Sequence, residues 1–271
     1  MVLENIALSG GGVKGYSYIG VIRYLEEYGL RKGIKRISGT SAGAVITLMF
    51  VLGYTSQELE NIASNLDLKK LENIDINLLF SGYGLDDCSK MEQMLNYFIK
   101  HKGVSKDVTF IQLYKLTGIH VYINACDIET QSEKVFDHIL TPDVKVTYGC
   151  RCSMTIPFIW TVSDNRYIDG CFVKNLPIEL LPMENTIGFY IEGLKNKSPV
   201  IDFRSYAARV IYCIFAKGNG MEIENYKLRG YRLIGIETFT NALNIHITKD
   251  LVKCQIETGY TACETHMNLK E

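Results

Sequence analysis

Two glycine-framed turns within the first 43 residues constrain this chain more than any other feature. Gly10-Gly11-Gly12-Val13-Lys14-Gly15 follows the apolar run Ile6-Ala7-Leu8, and Gly39-Thr40-Ser41-Ala42-Gly43 follows Ile34 to Ser38. Each cluster ends a strand-like stretch and opens a helix-like one, which is the punctuation of an alternating α/β chain. The second cluster is a Gly-x-Ser-x-Gly elbow, in which glycines clear space around a serine held on a strained turn. The first can present backbone N–H groups at a helix start, where negative charge is stabilised. A nucleophile beside an anion cradle is the minimum equipment for acyl transfer.

With 271 residues the chain can bury one substantial core, and no Pro/Gly/Ser-rich linker or repeat divides it, so residues 1–271 read as one domain. A net charge of −1 supplies no basic field, and nucleic acid is not expected as a partner. The eight cysteines are scattered without a C-x-x-C pair, which suits free thiols in a reducing compartment. Cys150-Arg-Cys152 alone makes a poor metal site, and no Asp/Asn-rich loop suggests calcium, so neither metal nor cofactor is expected. The first residues lack a basic-then-apolar leader pattern. The longest apolar runs, Ala44 to Gly53 and Val210 to Ala216, are too short to span a bilayer. The expectation is a cytoplasmic protein without a transmembrane segment, touching membranes only peripherally.

Strands are predicted over Glu4–Ser9, Lys35–Gly39, Ile119–Ala125, Lys134–Phe136, Thr186–Ile191 and Arg232–Glu237. Helices are predicted over Lys14–Tyr28, Ala42–Leu52, Asp87–His101, Thr109–Leu116, Tyr206–Phe215 and Thr248–His266. Thr55-Ser56-Gln57-Glu58 has the form of a capping box opening a further helix to Leu66. Ile74–Leu85 lacks clean periodicity and reads as a loop. Thr141-Pro142 is taken to open a helix ending before Pro157, and Trp160–Ser163 with Arg166–Asp169 to form a hairpin across Asp164-Asn165. The alternation of strands and helices predicts a three-layer α/β/α sandwich with a central, mostly parallel sheet.

A serine needs a base. None of the five histidines, His101, His120, His138, His246 and His266, has a distinctive setting, although His246 and His266 follow Asp169 in the order of a Ser–Asp–His triad. Tyr167-Ile168-Asp169-Gly170-Cys171 is more site-like, because a strand there ends in Asp-Gly and leaves a carboxylate at the strand end. The cradle alone could also bind a dinucleotide, but that reading wants an acid about twenty residues on. Gly-Thr-Ser-Ala-Gly stands there instead.

Taken in order, Gly10 to Gly15, Gly39 to Gly43 and Asp169-Gly170 resemble the patatin-like phospholipase family over about residues 4 to 192. Cys126 to Thr130, Cys152 to Pro157 and Asn175-Leu176-Pro177 look familial too. The resemblance implies a Ser–Asp dyad, with Ser41 as nucleophile and Asp169 as general base. It implies an oxyanion hole from the cradle, Gly10, Gly11 and Gly12, helped by Lys14, and acyl esters of phospholipids or neutral lipids as substrates, usually without a metal. Such substrates would be met at a membrane or micelle surface. Two positions depart from the pattern: Cys171 follows the Asp-Gly, where Gly or Ala is usual, and Ser9 precedes the cradle, where Asp is common. A non-catalytic lipid-binding relative and an acyl transferase are the alternatives. Leu78-Leu79-Phe80 and Phe158-Ile159-Trp160 are candidates for a lipid-facing rim or for core.

Overall fold

The computed structural model describes residues 2–192, 200–201, 203–240, 242 and 247–267. β1 (Asn5–Leu8) leads through a tight helical turn at Gly12–Tyr16 into α1 (Ser17–Glu27). β2 (Arg36–Gly39) leads into α2 (Ala42–Val51) and then α3 (Ser56–Asn65), whose Thr55–Glu58 capping box is formed in both directions. Next come α4 (Leu78–Ser81), β3 (Gly84–Asp86), α5 (Ser89–His101) and α6 (Phe110–Thr117). β4 (His120–Asp127), β5 (Ser132–Phe136), α7 (Val146–Met154), β6 (Phe158–Trp160) and β7 (Tyr167–Asp169) follow. β8 (Thr186–Glu192), α8 (Phe203–Leu228), β9 (Leu233–Glu237) and α9 (Lys249–Met267) complete the series.

The main sheet has the order β5-β4-β2-β1-β8-β9, and β7 also pairs with β4. β4, β2, β1, β8 and β9 are mutually parallel, while β5 and β7 run antiparallel to β4. Strand alternation sends side chains to two faces. Ile6, Leu8, Ile37 and Phe189 enter the large core with α1, α2 and α9. Ala7 faces the other way, against Leu176, Ile178 and Tyr226 of α8. With both faces covered, the parallel strands can be apolar almost throughout. The mostly parallel sheet flanked by helices agrees with the predicted sandwich. The chain beyond residue 195 contributes β9 to the same sheet and packs α9 along α1.

One arrangement positions the site. β2 pairs with β4 over His120–Ile123, ending with Gly39 opposite Ile123. β7 approaches along the same side of β4 from the opposite direction and ends with Asp169 opposite Ala125. The far side of β4 is taken by β5. The carboxyl ends of the two strands therefore meet across Asn124.

Three expectations need correction. Ile74–Leu85 is not merely a loop, because it holds α4 and its end joins β3, which pairs with β6 in a separate two-stranded sheet. A three-residue strand is too short for its period to register in the sequence. The helix after Thr141-Pro142 starts later, at Val146. Thr141 instead closes a turn with Asp137, whose carboxylate accepts from the Ile139 N–H at 2.9 Å. The proposed hairpin is a single Ser163–Tyr167 bridge, since β6 and β7 belong to different sheets. The Asp164-Asn165 turn does form, with both residues at positive φ, but β4 outcompetes the local partner for β7.

Candidate active site

Leu8 of β1 lies opposite Gly39 of β2, so the glycine turns that follow both strands emerge at the same sheet edge. Open α/β sheets bind ligands at this carboxyl edge. Ser41 adopts φ 53 and ψ −119, a conformation that costs a non-glycine residue on the order of 1–3 kcal/mol. Gly39 and Gly43 permit the turn. A Cβ at Gly39 would lie 2.5 Å from the Gly43 carbonyl oxygen, and one at Gly43 would lie 2.4 Å from that of Leu8. The Ser41 N–H donates to Ser153 Oγ of α7 at 2.8 Å. Because α2 begins at Ala42, Ser41 sits at the positive end of a buried helix.

The first glycine turn is pressed against the second. A Cβ on Gly10 would lie 3.2 Å from Ser41 Cβ and 2.7 Å from Asn175 Oδ1. The Gly10 N–H donates to the Asn175 carbonyl at 3.1 Å, and the Val13 N–H to that of Ala242 at 2.9 Å. Gly12 has φ +56 and would drive a Cβ into the Ala242 carbonyl, 2.1 Å away. Lys14 is only 4% exposed, and burial pulls the pKa of its ammonium down.

Asp169 is 1% exposed. Its Oδ1 accepts from the Cys171 N–H at 2.9 Å, while Oδ2 is buried without a hydrogen-bond partner. Burial raises its pKa to about 6, opposed more weakly by Cys171 and by the Ser41 hydroxyl. The hydroxyl is thus close enough to be felt but does not complete a bond to Oδ2. Catalytic hydrogen bonds often tighten only in the substrate complex. A carboxyl tuned near 6 is ionised at neutral pH and still basic enough to take a proton.

Gly10, Gly11, Gly12, Lys14, Ser41 and Asp169 all line one cleft of about 410 Å³. The positions singled out in the sequence are therefore brought together, with Gly39 and Gly43 directly beneath the serine. The described histidines stand apart. His120 bonds Asp137 and Tyr122 at the opposite end of β4, His266 is exposed late in α9, and His246 lies outside the described residues. No histidine among the described residues lines the cleft. Of the proposed rim, Phe80 is 85% exposed, whereas Ile159 is buried.

Some supporting residues were not assigned from sequence. Asn124 accepts from Thr40 Oγ1 at 2.6 Å and donates to the Lys174 carbonyl at 2.9 Å. Glu222 of α8 accepts the Asn175 and Leu176 N–H groups at 3.0 and 2.9 Å. Ser153 and Asn175 fall inside stretches that looked familial, but nothing in their spacing announced a contact. The strand pairing creates these contacts.

The chain is similar to known proteins in sequence and in fold. The chain is 28% identical over 221 residues to an uncharacterized protein of Acanthamoeba polyphaga mimivirus, with 75% of this chain and 73% of that protein covered. It is 29% identical over 188 residues to a probable lipid hydrolase of Invertebrate iridescent virus 6, covering 65% of this chain and 62% of the relative. Among solved structures, VipD from Legionella pneumophila superposes with a TM-score of 0.68 at 16% identity, over 98% of this chain and 67% of VipD. At that identity the likeness establishes the fold. The family model for patatin-like phospholipases matches residues 6–182, well over half of the sequence, and the chain belongs to that family.

Proposed function

We infer that this protein hydrolyses carboxylic esters of lipids through an acyl-enzyme on Ser41, with Asp169 as general base. The observation that carries this reading is the meeting of β2 and β7 on β4, which sets the strained Ser41 and the buried Asp169 in one cleft with the glycine cradle. The probable lipid hydrolase among the relatives supports lipids as substrates.

In the first step Ser41 Oγ attacks the ester carbonyl carbon and its proton passes to Asp169 Oδ2. The carbonyl oxygen becomes an oxyanion facing the N–H groups of Gly11 and Gly12. Gly10 shapes this cradle without donating, because its N–H is held by Asn175. Collapse breaks the ester C–O bond, and Asp169 returns the proton to the departing alcohol. Water then gives a proton to Asp169 and attacks the acyl-serine; collapse breaks the bond to Ser41 Oγ, which takes that proton back from Asp169 as the acid is released. Lys14 adds positive potential from the floor of the cleft.

Among the described residues no helix is long and apolar enough to cross a membrane. Ile76, Phe80 and Tyr83 are nevertheless 67%, 85% and 55% exposed, which favours action at the surface of aggregated lipid. Turnover of a water-soluble short-chain ester by the wild type, set against Ser41→Ala, tests the reading. Equal turnover in the two would remove it.

A further inference from the structure

Glu222 of α8 is a half-buried carboxylate that the proposed chemistry leaves without a task, yet it lines the catalytic cleft. Judged by charge alone it is misplaced there, because a negative group near a developing oxyanion opposes it. Its two oxygens are turned to backbone instead. Oε2 accepts from the Asn175 N–H at 3.0 Å, and Oε1 from the Leu176 N–H at 2.9 Å. Burial raises its pKa, while those two bonds, the Tyr226 hydroxyl and Lys174 act the other way.

The Leu176 N–H and the Asn175 carbonyl belong to one peptide group. The first is held by Glu222, and the second accepts from the Gly10 N–H at 3.1 Å. A carboxylate on the N–H side polarises such a group and makes its carbonyl a stronger acceptor. Two bonds therefore connect α8 to the first glycine of the cradle. Packing keeps the helix in place for this. Tyr226, one turn beyond Glu222, is buried with Ala7 of β1, Leu176 and Ile178, and Ile223 packs against the same cluster. Glu222 thus reaches back from a helix that follows the last familial stretch, Asn175-Leu176-Pro177.

The cradle needs support of this kind. Gly10, Gly11 and Gly12 have no side chains to fix their direction, and glycine backbone is the most permissive. The run is pinned at its ends, the Gly10 N–H by the Asn175 carbonyl and the Val13 N–H by the Ala242 carbonyl at 2.9 Å. Between these pins, nothing among the described residues accepts from the Gly11 or Gly12 N–H. Those are the two groups that face the oxyanion in the proposed chemistry.

We propose that Glu222 is a positioning residue for ester cleavage: by holding the Asn175–Leu176 peptide it fixes Gly10 and so aims the Gly11 and Gly12 N–H groups at the oxyanion. The proposal rests on the esterase reading of Ser41. Charge and position predict opposite results when the carboxylate is neutralised. Loss of an opposing charge would speed the reaction, whereas loss of the tether slows it.

Wild type, Glu222→Gln and Glu222→Ala would be compared in three ways. These are turnover of nitrophenyl butyrate, affinity for butylboronic acid, whose tetrahedral adduct on a serine mimics the oxyanion, and amide hydrogen exchange. Glu222→Gln keeps the side-chain size and one acceptor oxygen, so kcat should fall about tenfold. In Glu222→Ala the fall should reach about a hundredfold, the scale for a reacting group displaced by about 1 Å. Boronate affinity should fall by the same factor in each variant, while KM stays near wild type. Exchange at the Gly10 N–H should quicken, while that at Ile123, buried in β4, stays unchanged. The Gln variant decides the matter if the Ala variant does not fold. A Glu222→Gln enzyme as fast as wild type, or faster, overturns the proposal. So does a fall in kcat that boronate affinity or Gly10 exchange does not share, since its cause then lies outside the cradle. A wild type that turns over no ester would remove the esterase reading and this role with it, whereas an active wild type matched by Glu222→Gln would remove this role alone.

Discussion

Thr40 Oγ1 donates to Asn124 Oδ1 at 2.6 Å, with both side chains fully buried. This bond ties the residue before the nucleophile to the strand position where β2 and β7 meet. Asn124 also holds the Lys174 carbonyl, and a Cβ on Gly170 would strike its side chain at 2.8 Å. It is the hinge pin between Ser41 and Asp169. Asn124→Leu should remove both of these bonds, leaving Thr40 Oγ1 and the Lys174 carbonyl only their longer mutual bond of 3.3 Å, and destabilise the fold by about 1–3 kcal/mol. Because the dyad's alignment goes with it, kcat should fall while KM for a short ester changes little. Denaturant melts and steady-state kinetics check both parts.

The elbow glycines should be intolerant for a steric reason unrelated to chemistry. Gly43→Ala would place a Cβ 2.4 Å from the Leu8 carbonyl oxygen, in backbone that cannot move aside. A loss of at least about 3 kcal/mol is expected. Gly218 of α8 has open space around the corresponding position, so Gly218→Ala should stabilise by about 0.5–1 kcal/mol through helix propensity. The changes in unfolding free energy relative to wild type should be opposite in sign for the two variants.

Much of this was legible in the sequence, and the boundary is physical. Ser41 and its glycines were readable because a positive-φ serine between two close backbone approaches leaves a local trace. Asp169 was readable as a strand-end carboxylate followed by glycine. What was hidden depends on which strands pair. The local pattern predicts a hairpin between β7 and its sequence neighbour, yet its partner β4 lies about 40 residues upstream. The roles of Asn124, Ser153 and Asn175 follow from that pairing and could not precede it. Glu222 was hidden for a different reason, since α8 extends well past the predicted Tyr206–Phe215 segment. Its mixed polarity masks the helical period where it crosses the cleft.

Asp169 should make the protein's stability depend on pH in a direction opposite to that of an ion-paired carboxylate. Its folded pKa, raised by burial to about 6 from 3.8, means that the native state binds the proton more tightly than the unfolded chain. Stability from this group is therefore present below pH 3.8, declines as pH rises toward 6, and stays reduced above it. The difference corresponds to about 3 kcal/mol at neutral pH. Asp169→Asn should accordingly raise the melting temperature at pH 8, with the gain fading below pH 4. The same titration predicts that wild-type kcat/KM climbs through pH 6 and levels off above it.

Lys14 is buried with only burial acting on its ammonium, so its charge costs stability. Lys14→Met should raise the melting temperature. If its positive potential supports the oxyanion, kcat should fall by about tenfold or more. An unchanged kcat would assign Lys14 to covering the flank of α1 with its stem.

Covalent labelling by a fluorophosphonate, with ester turnover followed in parallel, tests the Ser41–Asp169 dyad most directly. Wild type should label once, at Ser41, and turn over. Ser41→Ala should do neither, and Asp169→Asn should remain folded while losing both labelling rate and turnover. Turnover retained in Asp169→Asn, or a folded wild type that never labels, would contradict the account.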